Sequence, residues 1–310
     1  MSVTEPGIAV VIVNWNRRDL LLEAVESCFK SDWKNLKVIV VDNGSKDGSQ
    51  AAISEKYPTS ILIENNKNLG FAKGSNQGIE RALAEAVDYI FFLNNDATVA
   101  TDTFHRLVDL LEKKPKAGAA APYIFYHDRP NIIWYGGGVV SFWRGSIAHR
   151  YIRRKFIPFE YIPERTDYLT GCAFLVRKSV LEKTGGFDTS LGMYSEDVDL
   201  SLRIRNAGWE LWVAPDAKAF HRISASAGGE LSPFKAFHRG RSNTILARRW
   251  AKWWEYPGLI FCGCIGVALF GLKLVFTGYF STAIALISGI VNGLSGAEIP
   301  QIFQLKQETD

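Results

Sequence analysis

Two groups of acidic residues in this 310-residue chain have types and spacing that could do chemistry. The first centres on Asp96, which closes Phe91-Phe92-Leu93-Asn94-Asn95-Asp96, an apolar run ending abruptly in amides and an acid. Side chains at the carboxyl end of a buried strand are held at the rim of the sheet, where open α/β folds place their ligands. A carboxylate there suits a hard divalent cation, since such ions take oxygen ligands. The second group is Ser195-Glu196-Asp197-Val198-Asp199, three carboxylates at a helix entrance. The helix macrodipole there favours the ionised form, which a proton acceptor needs. A cation bridging the oxygens of a departing diphosphate, with a base that takes the proton of an attacking hydroxyl, makes a group-transfer centre. Read singly, Asp197 is an ordinary first-turn helix acid.

Elements must position these groups. Ile8 to Val13, Val38 to Val41 and Tyr89 to Leu93 are apolar runs that end in Asn14-Trp15-Asn16, Asp42-Asn43-Gly44-Ser45 and Asn94-Asn95-Asp96, so three strands deliver polar side chains to one edge. Leu20 to Phe29 repeats at helical spacing between the first two strands, Ile61 to Ile63 is a further short strand, and Gly74 to Val87 predicts a helix. This alternation predicts a mostly parallel sheet flanked by helices. Beyond Pro122 come aromatic-rich segments at Tyr123 to Tyr126 and Ile132 to Tyr135, strand-like Leu169 to Val176, a helix from Asp197 to Ala207 and a last strand at Leu211 to Val213. Trp209 and Trp212 read as core aromatics.

Composition narrows the class. The chain is 47% hydrophobic and 22% charged with a net charge of +4, a globular balance. Its cations are spread out and no recognition motif accompanies them, which argues against a nucleic-acid partner. Two local clusters stand out, Arg150 to Lys155, read as a solvated loop, and Arg248 to Trp254, where cations interleave with tryptophans. The four cysteines lack paired metal spacing and read as reduced, and Ile8 to Val13 is too short for a signal peptide. From Pro257 to Ala297 the only charged residue is Lys273, enough apolar length for a bilayer-spanning helix. The expected layout is a catalytic domain over 1–245 (halves 1–121 and 122–245), a basic, aromatic and membrane-associated segment within 246–297, and a tail over 298–310. Membrane contact is assigned to 248–297, with the basic flank on the cytoplasmic face. A pair of helices packed on the soluble domain is the competing reading.

Taken together, Val10 to Asn16, Val41 to Ser49, Asn68 to Asn76, Leu93 to Asp96, Gly186-Phe187-Asp188, Glu196 to Asp199 and Pro215 to His221 resemble, in order, the motifs of the family 2 glycosyltransferases of the GT-A fold, in the rhamnosyltransferase-like branch. The resemblance spans about the first 245 residues. It implies an α/β nucleotide-diphospho-sugar transferase fold and inverting hexosyl or deoxyhexosyl transfer in cell-surface polysaccharide synthesis. The donor it implies is a dTDP- or UDP-linked sugar, and the acceptor a glycan or a lipid-linked glycan. Asp42 would recognise the nucleoside with Asn14 nearby, and Asn68, Gly70 and Asn76 would border the donor pocket. Asn94, Asn95 and Asp96 would occupy the signature that carries the cation, Mn2+ or Mg2+. Asp96 and His221 would hold the metal, Asp197 would be the base, and Glu196 a weaker candidate. Asn94 stands where the family has its first signature carboxylate, which removes one negative charge from the site.

Three other readings compete. A sugar-nucleotide nucleotidyltransferase would carry a glycine-rich basic loop after its first strand, and Asn14-Trp15-Asn16-Arg17-Arg18 has no glycine. A Rossmann oxidoreductase would show Gly-x-Gly-x-x-Gly at that point. A catalytically degenerate, membrane-attached binding or scaffold protein is the third, motivated by Asn94.

Overall fold

The computed structural model describes residues 5–223 and 232–305. Its first half alternates strand and helix: β1 (Ile8–Asn14), α1 (Arg18–Phe29), β2 (Leu36–Asp42), α2 (Ser49–Lys56), β3 (Ile61–Glu64), α3 (Phe71–Leu83) and β4 (Tyr89–Leu93). The second half holds β5 (Ala97–Val99), α4 (Thr103–Lys113), β6 (Ala117–Tyr126), β7 (Arg129–Tyr135), β8 (Gly138–Ser141), β9 (Ser146–His149), β10 (Glu164–Arg165) and β11 (Ala173–Arg177). There follow α5 (Lys178–Thr184), α6 (Glu196–Asn206), β12 (Glu210–His221), α7 (Pro233–Trp250), α8 (Tyr256–Phe276) and α9 (Phe280–Ser295).

The main sheet runs β10-β12-β6-β11-β4-β1-β2-β3, with β5 paired to β12 and β7 to β6. From β12 to β3 every strand points the same way except β11, which is antiparallel to both β4 and β6. All five residues of β4 and all ten of β6 are buried, as unbroken apolar runs require when both faces of a sheet are covered. The helix α3 lies close on this sheet because it presents Gly74 and Gly78 to Val13 and Val11.

Three boundaries differ from the expected ones. The α3 helix starts at Phe71 rather than Gly74, because the Asn68 side chain accepts from Gly70 N–H (2.9 Å) and closes the turn ahead of it. Leu169 to Cys172 stays out of the sheet, since the Leu169 and Gly171 N–H groups go to the Ser201 hydroxyl and the Asp197 carboxylate. The last strand covers Glu210–His221, not only Leu211 to Val213, and accommodates Pro215 at a register shift between Ala214 and Lys218.

At the C-terminus, α7 runs unbroken through position 245. Against it packs α9, at close range: a Cβ on Gly289 or Gly293 would collide with the α7 backbone at Phe237 or Arg241. After α9 the chain returns along α7, where Phe303 stacks on Phe237 at 4.1 Å. Residues 306–310 of the expected tail lie outside the described residues. The 21 residues of α8 are long and apolar enough to cross a bilayer, at about 1.5 Å of rise each against a hydrocarbon core of roughly 30 Å. Only 6% of its apolar window is covered by the rest of the molecule.

These contacts make glycine roles unequal. Gly78→Val drives a side chain into Val11, whose Cγ1 lies 2.2 Å from the Cβ position, and should lower unfolding stability by about 2 kcal/mol in a denaturant titration. Gly271→Ala, on α8 with no neighbour within 4 Å, should leave stability within about 0.5 kcal/mol.

Candidate active site

At the carboxyl ends of β1 and β2, Asn14 and Asp42 pair across the parallel ladder. Asp42 is fully buried, and a carboxylate in that position needs donors on both oxygens. It has four: the Ser45 N–H (2.7 Å) and hydroxyl (2.6 Å), the Asn14 amide (3.0 Å) and the Gln50 amide (2.9 Å). These bonds make Asp42 the anchor of the loop that carries Gly44 and Ser45. The Asn95 side-chain amide donates to Asn14 Oδ1 at 2.8 Å, tying the end of β4 into the same network. Ser45, from the loop after β2, and Ser49 and Gln50, from the first turn of α2, complete this network, with the Ser49 hydroxyl accepting from the Asn14 amide at 3.0 Å.

Asn68 and Gly70 form the turn before α3, and Asn43 donates to the Gly70 carbonyl at 3.2 Å. Asn76 is engaged elsewhere. Its amide donates to Phe187 O and accepts from Phe187 N, both at 2.8 Å, and so clamps the Gly186-Phe187 turn.

Asp96 and His221 are brought together by strand pairing. In the antiparallel ladder of β5 and β12, Ala97 is opposite His221, which places the preceding carboxylate beside the imidazole. Asp96 Oδ1 lies 3.1 Å from His221 Nε2, and both side chains are more than four-fifths buried. Trp134 of β7 packs its ring edge against the imidazole at 4.5 Å, a contact that the sequence did not signal. Among the described residues, His221 Nδ1 is buried without a hydrogen-bond partner. One oxygen and one nitrogen donor, buried and adjacent, fit a divalent ion of the Mn2+ type. Among the described residues no third His, Cys, Asp or Glu joins them, so such an ion would fill its shell from ligand or water oxygens. Asn94 follows β4 directly, with its N–H bonded to the Cys172 carbonyl at 2.8 Å.

The acidic motif opens α6 and is divided by environment. Asp199 is buried and neutralised by Arg203 (2.8 Å) and the Trp250 N–H (3.0 Å), a structural pairing. Asp197 Oδ2 accepts from Gly171 N–H at 2.9 Å and Oδ1 from Val198 N–H at 2.8 Å. Burial pushes the Asp197 carboxyl above the ordinary carboxylate range, against the pull of those two bonds. Glu196 is pushed up to about 8, by burial first and then by the Asp197 charge, and its Oε2 is buried without a hydrogen-bond partner among the described residues. Tyr194 and Ser195, just ahead, both hold left-handed backbone (φ 68° and 64°), a costly geometry for side-chain-bearing residues. Contacts from α7 hold it in place: Asn243 accepts from the Ser195 hydroxyl (2.9 Å), and Ser242 bonds to the carbonyls of Leu191 and Met193.

One short segment joins the two centres. Gly171 orients Asp197, the adjacent Cys172 bonds to Asn94, and the buried Cys172 thiol is held well above its usual value by burial and then by the charges of both Asp96 and Asp197. Gly171-Cys172 thus links the carboxyl end of β4 to the start of α6.

A mostly parallel central sheet with β11 reversed inside it, polar loops at the carboxyl edge and two acidic groups linked by Gly171-Cys172 make a GT-A-like glycosyltransferase architecture. The chain belongs to glycosyl transferase family 2, whose model matches residues 9–185. It is 29% identical over 271 residues to an N-acetylglucosaminyl-diphospho-decaprenol L-rhamnosyltransferase of Mycobacterium tuberculosis, covering 81% of this chain and 87% of that protein. It is 22% identical over 247 residues to a poly-beta-1,6-N-acetyl-D-glucosamine synthase of Staphylococcus epidermidis, covering 79% of this chain and 57% of that one. Among solved structures, a mannosyltransferase from Pyrobaculum calidifontis in complex with GDP-Man and Mn2+ superposes with a TM-score of 0.60 at 18% identity, over 96% of this chain and 89% of that one. GalNAc-T7 with UDP, GalNAc and Mn2+ does so with a TM-score of 0.61 at 17% identity, over 79% of this chain and 48% of that one.

The raised Glu196 group has a stability consequence with a definite sign. An acid whose folded value of about 8 exceeds its ordinary 4.5 contributes stability that is full below pH 4.5 and lost as pH rises toward 8. Glu196→Gln should remove that decline, so its melting temperature should rise relative to the parent between pH 5 and pH 8 in parallel thermal melts.

Proposed function

We propose that this glycosyltransferase moves a hexosyl or deoxyhexosyl group, with inversion, from a nucleotide-diphospho donor to a glycan or lipid-linked acceptor at the cytoplasmic face of the membrane. The observation that carries this reading is the link that Gly171-Cys172 makes between the two acidic groups: the Gly171 N–H bonds to Asp197, and the Cys172 carbonyl takes the Asn94 N–H two residues before Asp96, which pairs with His221. The acceptor hydroxyl attacks the anomeric carbon as Asp197 takes its proton, and the nucleoside diphosphate leaves from the opposite side, which inverts that carbon. Asp96 and His221 would hold a divalent cation, Mn2+ or Mg2+, whose charge neutralises the departing diphosphate. Loops held by Asn14, Asp42 and Asn95 would receive the nucleotide, dTDP- or UDP-linked. Support for a lipid-linked acceptor comes from the mycobacterial relative's name, and support for a cation from Mn2+ in the two superposed structures. Attachment to the membrane is supported by the exposed apolar α8 and the cation and tryptophan cluster before it.

Asp197→Asn should lower kcat by roughly 10²–10⁴-fold while nucleotide affinity, followed by calorimetry, changes little. The parent's kcat/KM should rise with pH through a limb above the usual aspartate value of about 3.9, because Asp197 must be ionised to act and burial raises it. EDTA should stop turnover and added Mn2+ should restore it, whereas His221→Ala should raise the Mn2+ concentration needed for half-maximal rate.

The degenerate binding-protein reading rests on Asn94. A protein of that kind would bind nucleotide sugars yet release no nucleoside diphosphate, with or without acceptor, in a coupled release assay.

A further inference from the structure

The loop 150–163 is built in two layers. Tyr151, Phe156 and Tyr161 point inward and make an aromatic cluster with Tyr123 and Phe125 of β6, with ring centroids 5.2–6.2 Å apart. Between these anchors, Ile152, Ile157, Phe159 and Ile162 point to the outside, at 44%, 52%, 100% and 74% exposure. A loop fixed on a core normally turns polar residues outward, and an exposed apolar cluster of this kind marks an interaction surface. Three of its residues, Tyr151, Arg153 and Phe159, hold left-handed backbone, so the outward display is kept at some conformational cost.

Charge selects the partner. Arg153, Arg154 and Lys155 are exposed among the apolar residues, and Glu160 is the loop's one acid. Arg150 does not count toward this surface, because Glu164 pairs with it at 3.0 Å. Cations beside large apolar side chains fit the headgroup layer of an anionic bilayer, where each group meets its preferred surroundings.

Position gives the same answer. The β8–β9 hairpin, which leads directly into the loop, packs its tip on the start of α8: a Cβ on Gly258 would fall 2.3 Å from the Trp143 ring, and Leu259 approaches Gly145. Four residues per strand at about 3.3 Å each place the loop roughly 13 Å from that contact. Near the same helix entrance stand the exposed Trp253 and Trp254.

We propose that the loop 150–163 is a second membrane contact, resting in the headgroup layer of an anionic bilayer beside the entrance of α8. It rests on the membrane attachment proposed above. Two contacts fix the catalytic domain's tilt on the bilayer, which a single helix does not, and so set the distance between the cleft and a lipid-linked acceptor.

The test uses the full chain in lipid nanodiscs, with Cys262→Ser and Cys264→Ser removing the accessible thiols and an environment-sensitive fluorophore on a new cysteine. Three sites are compared: Phe159→Cys in the loop, Ile265→Cys on α8, and Ser54→Cys on α2 at the far sheet edge. In phosphatidylglycerol discs the 159 label should shift to the blue and be quenched by headgroup-region spin-labelled lipid at least several-fold more than the 54 label. R153E/R154E/K155E should bring that quenching down toward the 54 level. A 159 label as solvent-exposed as the 54 label, with the 265 label quenched, overturns the loop contact and leaves membrane attachment standing. Absence of quenching at 265 by a lipid spin-labelled deep in its acyl chains, the depth of the α8 midpoint, overturns the attachment itself. Equal quenching at 159 in phosphatidylcholine discs overturns the anionic assignment, and a blue shift in lipid-free amphipol that fades on dilution gives the patch to a second copy of the chain.

Discussion

The reversal of β11 is the constraint on which the rest of the site depends. Because β11 runs antiparallel to β4, its beginning must lie where β4 ends. That places Gly171 and Cys172, just ahead of the reversed strand, beside Asn94. A parallel strand in that place would carry its first residues to the opposite edge, and the Gly171 N–H that orients Asp197 would be a full strand length away. Beyond β11, β6 and β12 return to the common direction, so the end of β12 brings His221 back to the same edge.

Buried carboxylates in this molecule fall into two kinds, and the contrast separates scaffold from chemistry. Asp42 and Asp199 are surrounded by donors or by a guanidinium, so each is a settled part of the framework. Glu196 and Asp197 are half-buried with fewer donors than they have lone pairs, and their protons are correspondingly harder to lose. A general base benefits from this, because a carboxylate with a raised value takes a proton more readily. The cost falls on folding, and it is offset by the well-packed sheet beneath.

Much of this arrangement was legible in the chain itself. Apolar runs that end abruptly in amides and acids located β1, β2 and β4, and the carboxylates at the α6 entrance were visible because charged residues interrupt an otherwise regular pattern. What stayed hidden depends on pairing between distant segments. The four donors around Asp42 come from three separate segments, and both polar atoms of Asn76 are taken by Phe187, more than a hundred residues later. Leu169 to Cys172 has the composition of a strand, yet its N–H groups are claimed by side chains of α6, a choice no local propensity records. The outward faces of Ile157 and Phe159 were equally unreadable, because the aromatic anchors that orient them belong to β6.

The way α7 is shared between two neighbourhoods bears on how the molecule can be divided. Its hydroxyl and amide side chains Ser242 and Asn243 brace the turn ahead of the base, its Trp250 indole grips Asp199, and its glycine-lined flank is where α9 docks. The turn ahead of Asp197 and the apolar helices are thus two ends of one lever. Trimming those helices to obtain a water-soluble fragment strips a flank of that lever bare, so a fragment chosen for convenience would give up the stiffness of the very turn that positions Asp197.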